Sequence, residues 1–318
     1  MFQEDRLMGR LVIVAGPTAS GKTALAIRLA QALDGEIVSA DSMQIYKRLD
    51  IGTAKPTAWE QAQAPHHMID VVEPGAQYSV SRYAQQAAQC VDDILARGKL
   101  PIVCGGTGLY IEALVRGHGF SQGGQQTALR RQLEELWQQD PAPLWRELQQ
   151  VDPESAGRIH PNDKKRVLRA LEVWRATGET ISEHNRRTKA LPPRYEALWL
   201  GLSPQPRQLL YDRINRRVTA MLEQGLVEEV RQLWQQGWLQ GTAGQAIGYK
   251  EMVGYLQGQC TLEEAADQIR QKSRQYAKRQ LTWFRHVEGI RWLCYGDEAG
   301  FEQLGRESTN CVRQWALR

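Results

Sequence analysis

No run of apolar residues in this 318-residue chain approaches the roughly 18 that a membrane-spanning helix requires. The longest compact runs, such as 11–15, are strand-sized, so no membrane partner is expected. The first ten residues carry Glu4 and Asp5 and lack an apolar stretch, so a secretory leader is not expected either. Cysteine is sparse: five residues, at 90, 104, 260, 294 and 311, an odd and scattered set with no C-x-x-C pair. That excludes a disulfide framework and a zinc knuckle, and it points to reduced thiols in the cytoplasm. Internal repeats and low-complexity tracts are missing too, apart from a general richness in glutamine. What remains is an ordinary globular composition, 42% hydrophobic and 24% charged, with the length of one large domain or two modest ones.

The net charge of +4 decides little as a total, but the basic residues are unevenly spread. Seven lie between Arg270 and Arg291 against one acid, Glu288, and six lie between Arg158 and Arg175 against Asp163 and Glu172. Such concentrations suit a polyanion, although either run alone is equally consistent with a solvated helix face.

Apolar periodicity gives a strand at 11–15, a glycine loop, a helix from Thr23 to Leu33 and a second strand at 36–40, which together form a βαβ unit. A helix over 79–97 leads to a strand at 100–104, and further strands are predicted at 197–202 and 289–294. The expected fold is α/β, a P-loop-type doubly wound parallel sheet. The stretch 117–194 breaks the alternation. It opens on a polar connector, 117–124, and continues as helices around 129–137, 144–148 and 167–174. It reads as a helical insertion domain, with 1–116 and 195–318 forming the core. A long helix is predicted from Leu262 to about Phe284, started by a Thr261/Glu264 capping box. Leu262, Ala265, Ile269, Tyr276 and Leu281 would form its buried stripe, with Arg270, Arg274 and Lys278 on another face.

Gly16, Pro17, Thr18, Ala19, Ser20, Gly21, Lys22 and Thr23 fit the P-loop pattern G-x-x-x-x-G-K-[ST] without a mismatch, between a strand and a helix as the pattern requires. Its backbone N–H groups converge on phosphate oxygens, Lys22 brings a charge to the terminal phosphates, and the Thr23 hydroxyl is suited to Mg²⁺. A Walker B aspartate does not follow the strand at 100–104, which runs into Gly105, Gly106 and Thr107. The acid beside the loop is Asp41, after the second strand. It is a Mg²⁺-site acid, a general base or a helix N-cap, with the first two ranked above the third. His66 and His67 are adjacent, share no face and have no further ligand at metal spacing, so structural roles are expected. Of Arg213, Arg216 and Arg217, one is expected to clamp an anion.

Taken in order, 16–23, Ser39-Ala-Asp-Ser-Met-Gln-Ile-Tyr46, Pro65-His-His-Met-Ile-Asp70, Gly105-Gly-Thr-Gly-Leu-Tyr110, Arg158-Ile-His-Pro-Asn-Asp163 and Lys278-Arg-Gln-Leu-Thr-Trp-Phe-Arg285 resemble bacterial tRNA dimethylallyltransferase, from residue 11 to about 295. The resemblance implies transfer of a dimethylallyl group from its diphosphate to N6 of the adenosine just 3′ of a tRNA anticodon. Asp41 matches the general base and Arg217 a diphosphate contact. The P-loop would hold the prenyl diphosphate with Mg²⁺ rather than ATP, and the base would be flipped into a channel between core and insertion.

The family's tRNA contacts fall on Asp41, Ser42, Met43 and Gln44, and on Thr107 and Arg130. They continue over Lys165, Arg166, Val167, Leu168 and Arg169, then over Gln245, Ala246, Ile247, Gly248, Tyr249 and Lys250. The last group is Lys278, Arg279, Gln280, Leu281, Thr282, Trp283, Phe284 and Arg285. A monomer without the C-terminal zinc finger of eukaryotic relatives is expected. Three rivals remain: a P-loop small-molecule or nucleotide kinase, an adenylate isopentenyltransferase acting on free AMP, and an RNA-binding protein whose P-loop is a nucleotide switch. The basic helix and the insertion oppose the first two; Asp41 beside the P-loop opposes the third.

Overall fold

The computed structural model describes residues 9–117 and 127–316. Residues 1–8 and the connector beyond Gly117, 118–124, lie outside the described residues. The chain divides into two compact units, Met1–Gly117 with Arg194–Arg318, and His118–Pro193.

In the first unit, β1 (Gly9–Ala15), β2 (Gly35–Ser39), β3 (His66–His67), β4 (Leu100–Gly105), β5 (Tyr195–Pro204) and β6 (Arg291–Tyr295) form one sheet in the order β3-β2-β4-β1-β5-β6. Every pairing is parallel. Period-two alternation sends Leu11, Ile13, Val38 and Val103 to one face, under helices Val80–Ala96 and Gly108–Arg116. Val12, Val14, Ile37, Ile102, Leu198 and Leu200 go to the other, under helices Lys22–Leu33 and Glu298–Ala316. With both faces covered, the central strands read as continuous apolar runs. Full burial of each such side chain contributes about 1.5–3 kcal/mol. From β1 the chain moves first toward β2 and later, through β5, to the opposite side. The carboxyl end of β1 is therefore the switch point where such sheets hold ligands. The two-residue strand β3 was too short to be seen in the sequence.

A third apolar cluster lies beyond the sheet, joining Ile45, Leu49, Val218, Met221, Leu226, Val230, Tyr249 and Ile269. Helix Leu262–Phe284 begins at the expected Thr261/Glu264 capping box. Its buried positions, however, are Ala265, Ala266, Ile269, Ala277, Gln280 and Phe284. Leu262, expected in the stripe, is 38% exposed, because it sits in the first turn, ahead of the packed face.

The second unit is helical: Thr127–Gln139, Pro141–Val151, Pro153–Ala156, Lys164–Thr177 and Ile181–Ala190. Leu133, Leu144, Leu148, Val167, Leu168 and Leu171 form its own core. The short helix at 153 and the last helix carry too few apolar residues to be read from periodicity.

Both histidines are structural in kind. His66 Nδ1 lies 2.8 Å from the Ala64 carbonyl, and His67 Nε2 lies 2.8 Å from Glu36 Oε2. Glu36, buried on β2, also receives both terminal nitrogens of Arg97. The Arg97 hydrogen bonds, assisted by His67, hold its carboxyl down to about 2 from an ordinary 4.5. Between those values the unfolded chain binds more protons than the folded one. The contribution is therefore complete above pH 4.5 and is lost as pH falls toward 2. Glu36→Gln is expected to lower the thermal midpoint at pH 7 and to flatten the acid limb of a stability–pH profile. An acid limb as steep as wild type would contradict this assignment.

Candidate functional site

The P-loop leaves β1 and turns into helix Lys22–Leu33 through Gly21, whose φ of 79° is the left-handed conformation that glycine adopts without steric cost. Ala19 is also left-handed, at φ 63°, which costs a non-glycine residue about 1–2 kcal/mol. Long-range contacts hold the loop in this shape. Arg213 Nε donates to the Ala19 carbonyl at 2.8 Å and the Tyr295 hydroxyl to that of Ser20 at 2.9 Å. Lys22 Nζ donates to the Pro17 carbonyl at 2.7 Å. Gln280, only 5% exposed, accepts from Thr18 N–H at 2.8 Å and donates to the Gly106 carbonyl at 3.0 Å. Its amide thereby ties the P-loop to the end of β4. A Cβ on Gly106 would come within 2.0 Å of Gln280 Nε2, so only glycine permits this approach.

Beyond the loop lies a cavity of about 340 Å³, wholly within the first unit. Thr18, Lys22, Thr23, Asp41, Arg217 and Tyr276 line it, with Ile214, Val218, Met221, Ile247 and Ile269 supplying apolar wall. Asp41 follows β2. Its Oδ1 accepts the N–H groups of Met43 at 2.8 Å and Gln44 at 3.4 Å, so it caps a turn while its carboxylate lines the cavity. No helix begins there, the next one being Ala58–Gln63, so Asp41 is a turn cap and the helix N-cap reading is set aside. Desolvation pulls Lys22 down to about 8, against the opposing influence of Cys104 and Asp41. It also lowers Arg217, again against Asp41, and it pushes the Cys104 thiol up to about 12. Tyr276 rises to about 12 by burial beside Asp41 and stays a neutral hydroxyl. Two desolvated cations therefore face one carboxylate. The described residues hold no cluster of three metal-ligating side chains; the Thr23 hydroxyl is a hard oxygen of the kind Mg²⁺ takes, while the Cys104 thiol stays protonated.

Of the three arginines, Arg217 lines the cavity and donates to the Thr53 carbonyl at 3.3 Å, Arg213 grips the loop from behind, and Arg216 is exposed. Loop 50–54 is itself pinned by Glu229, which accepts from the N–H groups of Asp50, Ile51 and Gly52 at 3.2, 2.8 and 3.2 Å. Gln44 Nε2 donates to the carbonyls of Thr53 and Ala54, and Thr107 Oγ1 accepts from Ser42 N–H at 3.2 Å. Ser42, Met43, Gln44, Gln245, Ala246, Ile247, Arg279 and Gln280 all border the cavity.

The residue runs expected to meet RNA divide by helical face. Lys165, Arg166, Lys278, Thr282, Trp283 and Arg285 are exposed, as is Lys250. Val167, Leu168, Tyr249 and Phe284 are fully buried in cores, and Gln280, nearly so, is bonded to the P-loop. Helical periodicity within each run carried that signal. Arg130 and Arg169 both reach toward the buried Glu172, at 3.8 and 3.1 Å. Arg270 pairs with Glu263 and Asp267, and Arg274 with Asn215. Part of each basic run is thus spent inside its own unit.

A P-loop at the switch point of a parallel doubly wound sheet, with cations and a carboxylate around one cavity, sets the chain among P-loop-like α/β proteins. A family model described as IPP transferase matches residues 44–287, and one described as isopentenyl transferase matches 9–70. The tRNA dimethylallyltransferase of Caldanaerobacter subterraneus is 46% identical over 298 residues, covering 93% of this chain and 95% of that protein. That of Pelotomaculum thermopropionicum is 45% identical over 305 residues, covering 95% and 96%. Among solved structures, the tRNA isopentenylpyrophosphate transferase of Bacillus halodurans superposes with a TM-score of 0.71 at 40% identity, over 96% of both chains. A eukaryotic dimethylallyltransferase acting on tRNA gives 0.83 at 32%, over 94% of this chain and 77% of that one. The chain belongs to the tRNA dimethylallyltransferase family of prenyl transferases.

Gln280→Leu is expected to strand the Thr18 N–H and the Gly106 carbonyl, at roughly 1–3 kcal/mol each. A chemical-denaturation midpoint equal to wild type would show that the bridge contributes nothing.

Proposed function

We propose that this protein transfers the dimethylallyl group of dimethylallyl diphosphate to N6 of the adenosine 3′-adjacent to a tRNA anticodon. The observation that carries the reading is one cavity in which desolvated Lys22 and Arg217 face Asp41 beside an apolar wall. Buried cations are costly without counter-charge. A diphosphate supplies it, and an allylic chain suits the wall.

The N6 lone pair attacks C1 of the donor as the C1–O bond breaks. The bonding electrons leave on the diphosphate and the N6 proton passes to Asp41. An adenine amine is a weak nucleophile, because its lone pair is delocalised into the ring. Taking its proton during bond formation therefore lowers the barrier. Lys22, Arg217 and the first-turn N–H groups of helix Lys22–Leu33 stabilise charge that grows on the leaving group, so they act more strongly in the transition state than in the ground state. Mg²⁺, held by the Thr23 hydroxyl and the diphosphate's own oxygens, would supply further neutralisation of that charge.

Exposed basic residues on each unit suit the tRNA backbone. Lys164, Lys165 and Arg166 open helix Lys164–Thr177, where the helix dipole disfavours cations by about 0.3–1 kcal/mol each. Arg166 offsets the cost with an ion pair to Asp163 at 3.3 Å, and a phosphate partner would offset it for the two lysines. Lys278 and Arg285 are exposed on the first unit, Arg285 as the cap of its helix, and contacts of this kind position RNA without reading its sequence.

Asp41→Asn keeps the turn-capping oxygen but cannot accept a proton. It is expected to lower kcat ~10²–10⁴-fold with tRNA and donor binding nearly intact. Retention of more than about a tenth of wild-type kcat in single-turnover assays would remove Asp41 as the base.

A further inference from the structure

On two walls of the cavity the charged groups gather near the phosphate end. On helix Arg207–Glu223, Arg213 touches the P-loop, Arg217 faces Asp41, and Met221 follows one turn later. At 1.5 Å per residue Met221 stands about 6 Å beyond Arg217, on the same face. On helix Leu262–Phe284 the order is reversed in sequence but not in space. Gln280 is bonded to the P-loop, Tyr276 and Ser273 come next, and Ile269 is about 16 Å along the axis from Gln280. On both walls the charged and hydrogen-bonding groups stop short of the far end; on the first, an aliphatic row begins at Ile214 and continues through Val218 to Met221, and on the second Ile269 stands alone there.

The side chains at that far end are buried and stiff. Val218, Met221 and Ile269 are at most 7% exposed, and they belong to the third apolar cluster with Leu226 and Val230. Their outer sides are packed against core residues, so they cannot swing away without opening a void, and close-packed interiors resist that. An adenine ring has donors and acceptors around its edge that Met221, Val218 and Ile269 cannot satisfy. A branched hydrocarbon has none.

Resting on the reading that the donor's diphosphate sits on the P-loop, we propose that Met221 and Ile269 form the floor that limits the donor to a five-carbon allylic chain. With the diphosphate at Arg217, the chain spans the interval to Met221, and a donor one isoprene unit longer meets the floor. Specificity for chain length is then a steric property of two side chains, separate from the phosphate contacts and the base.

The test uses the full chain with a tRNA anticodon stem-loop and compares kcat/KM for dimethylallyl and geranyl diphosphates. Wild type is expected to prefer the shorter donor strongly. Met221→Ala, which opens the floor, is expected to raise the geranyl-to-dimethylallyl ratio at least ~10-fold, and Ile269→Val, which removes one methylene from a buried site, to raise it less. Thermal melting checks that each variant folds; should Met221→Ala fail to fold, Ile269→Val decides by the same criterion. Ratios within about twofold of wild type in the folded variants overturn the floor, as does a wild type that uses both donors equally. Transfer from neither donor by wild type overturns the donor reading itself, and the floor with it.

Discussion

A phosphate cradle made of backbone is only as exact as the grip on that backbone from outside. In this protein the carbonyls of Pro17, Ala19 and Ser20 are each taken by a side chain, from Lys22, Arg213 and Tyr295, while Gln280 holds the N–H of Thr18. Three of those four partners come from the segment after residue 194. The loop is read in the first twenty-odd residues but shaped by the last third of the chain. Arg213 also keeps Ala19 in its left-handed conformation, so the strain in the loop is stabilised by a contact that crosses the sheet's switch point.

The electrostatics follow from that placement. Burial disfavours the charged forms of Lys22 and Arg217, and Asp41 only partly offsets it. Loop 50–54, fixed by Glu229, presents the Thr53 carbonyl to Arg217 and to Gln44, so the second cation is aimed by a residue that never reaches the cavity. A diphosphate entering such a site meets charge that is already desolvated and oriented, and little reorganisation remains for the reaction itself.

Features built from contiguous residues were readable in advance: the glycine loop between β1 and its helix, Asp41 after β2, the Thr261 capping box, and the run of helices between 127 and 190. Features built from distant partners were not. Glu229 lies about 180 residues from the loop it holds, and nothing local in 226–235 announces that task. Arg213, Arg216 and Arg217 look alike in sequence; their helical phase decides that only Arg217 lines the cavity. Gln280 reads as one polar residue in an RNA-facing run, yet its phase turns it inward with Ala277 and Phe284. Basic runs overstate the available positive charge, because counting cannot see that Arg270 and Arg169 already have carboxylate partners.

What occupies the P-loop cavity and which molecule accepts the prenyl group together define the reaction. Incubation of the protein with tRNA, AMP, ATP and radiolabelled dimethylallyl diphosphate together measures both. Label is predicted to appear in tRNA alone, on the adenosine next to the anticodon, with no ATP consumed. Label in AMP, or ATP hydrolysed in step with transfer, would contradict it.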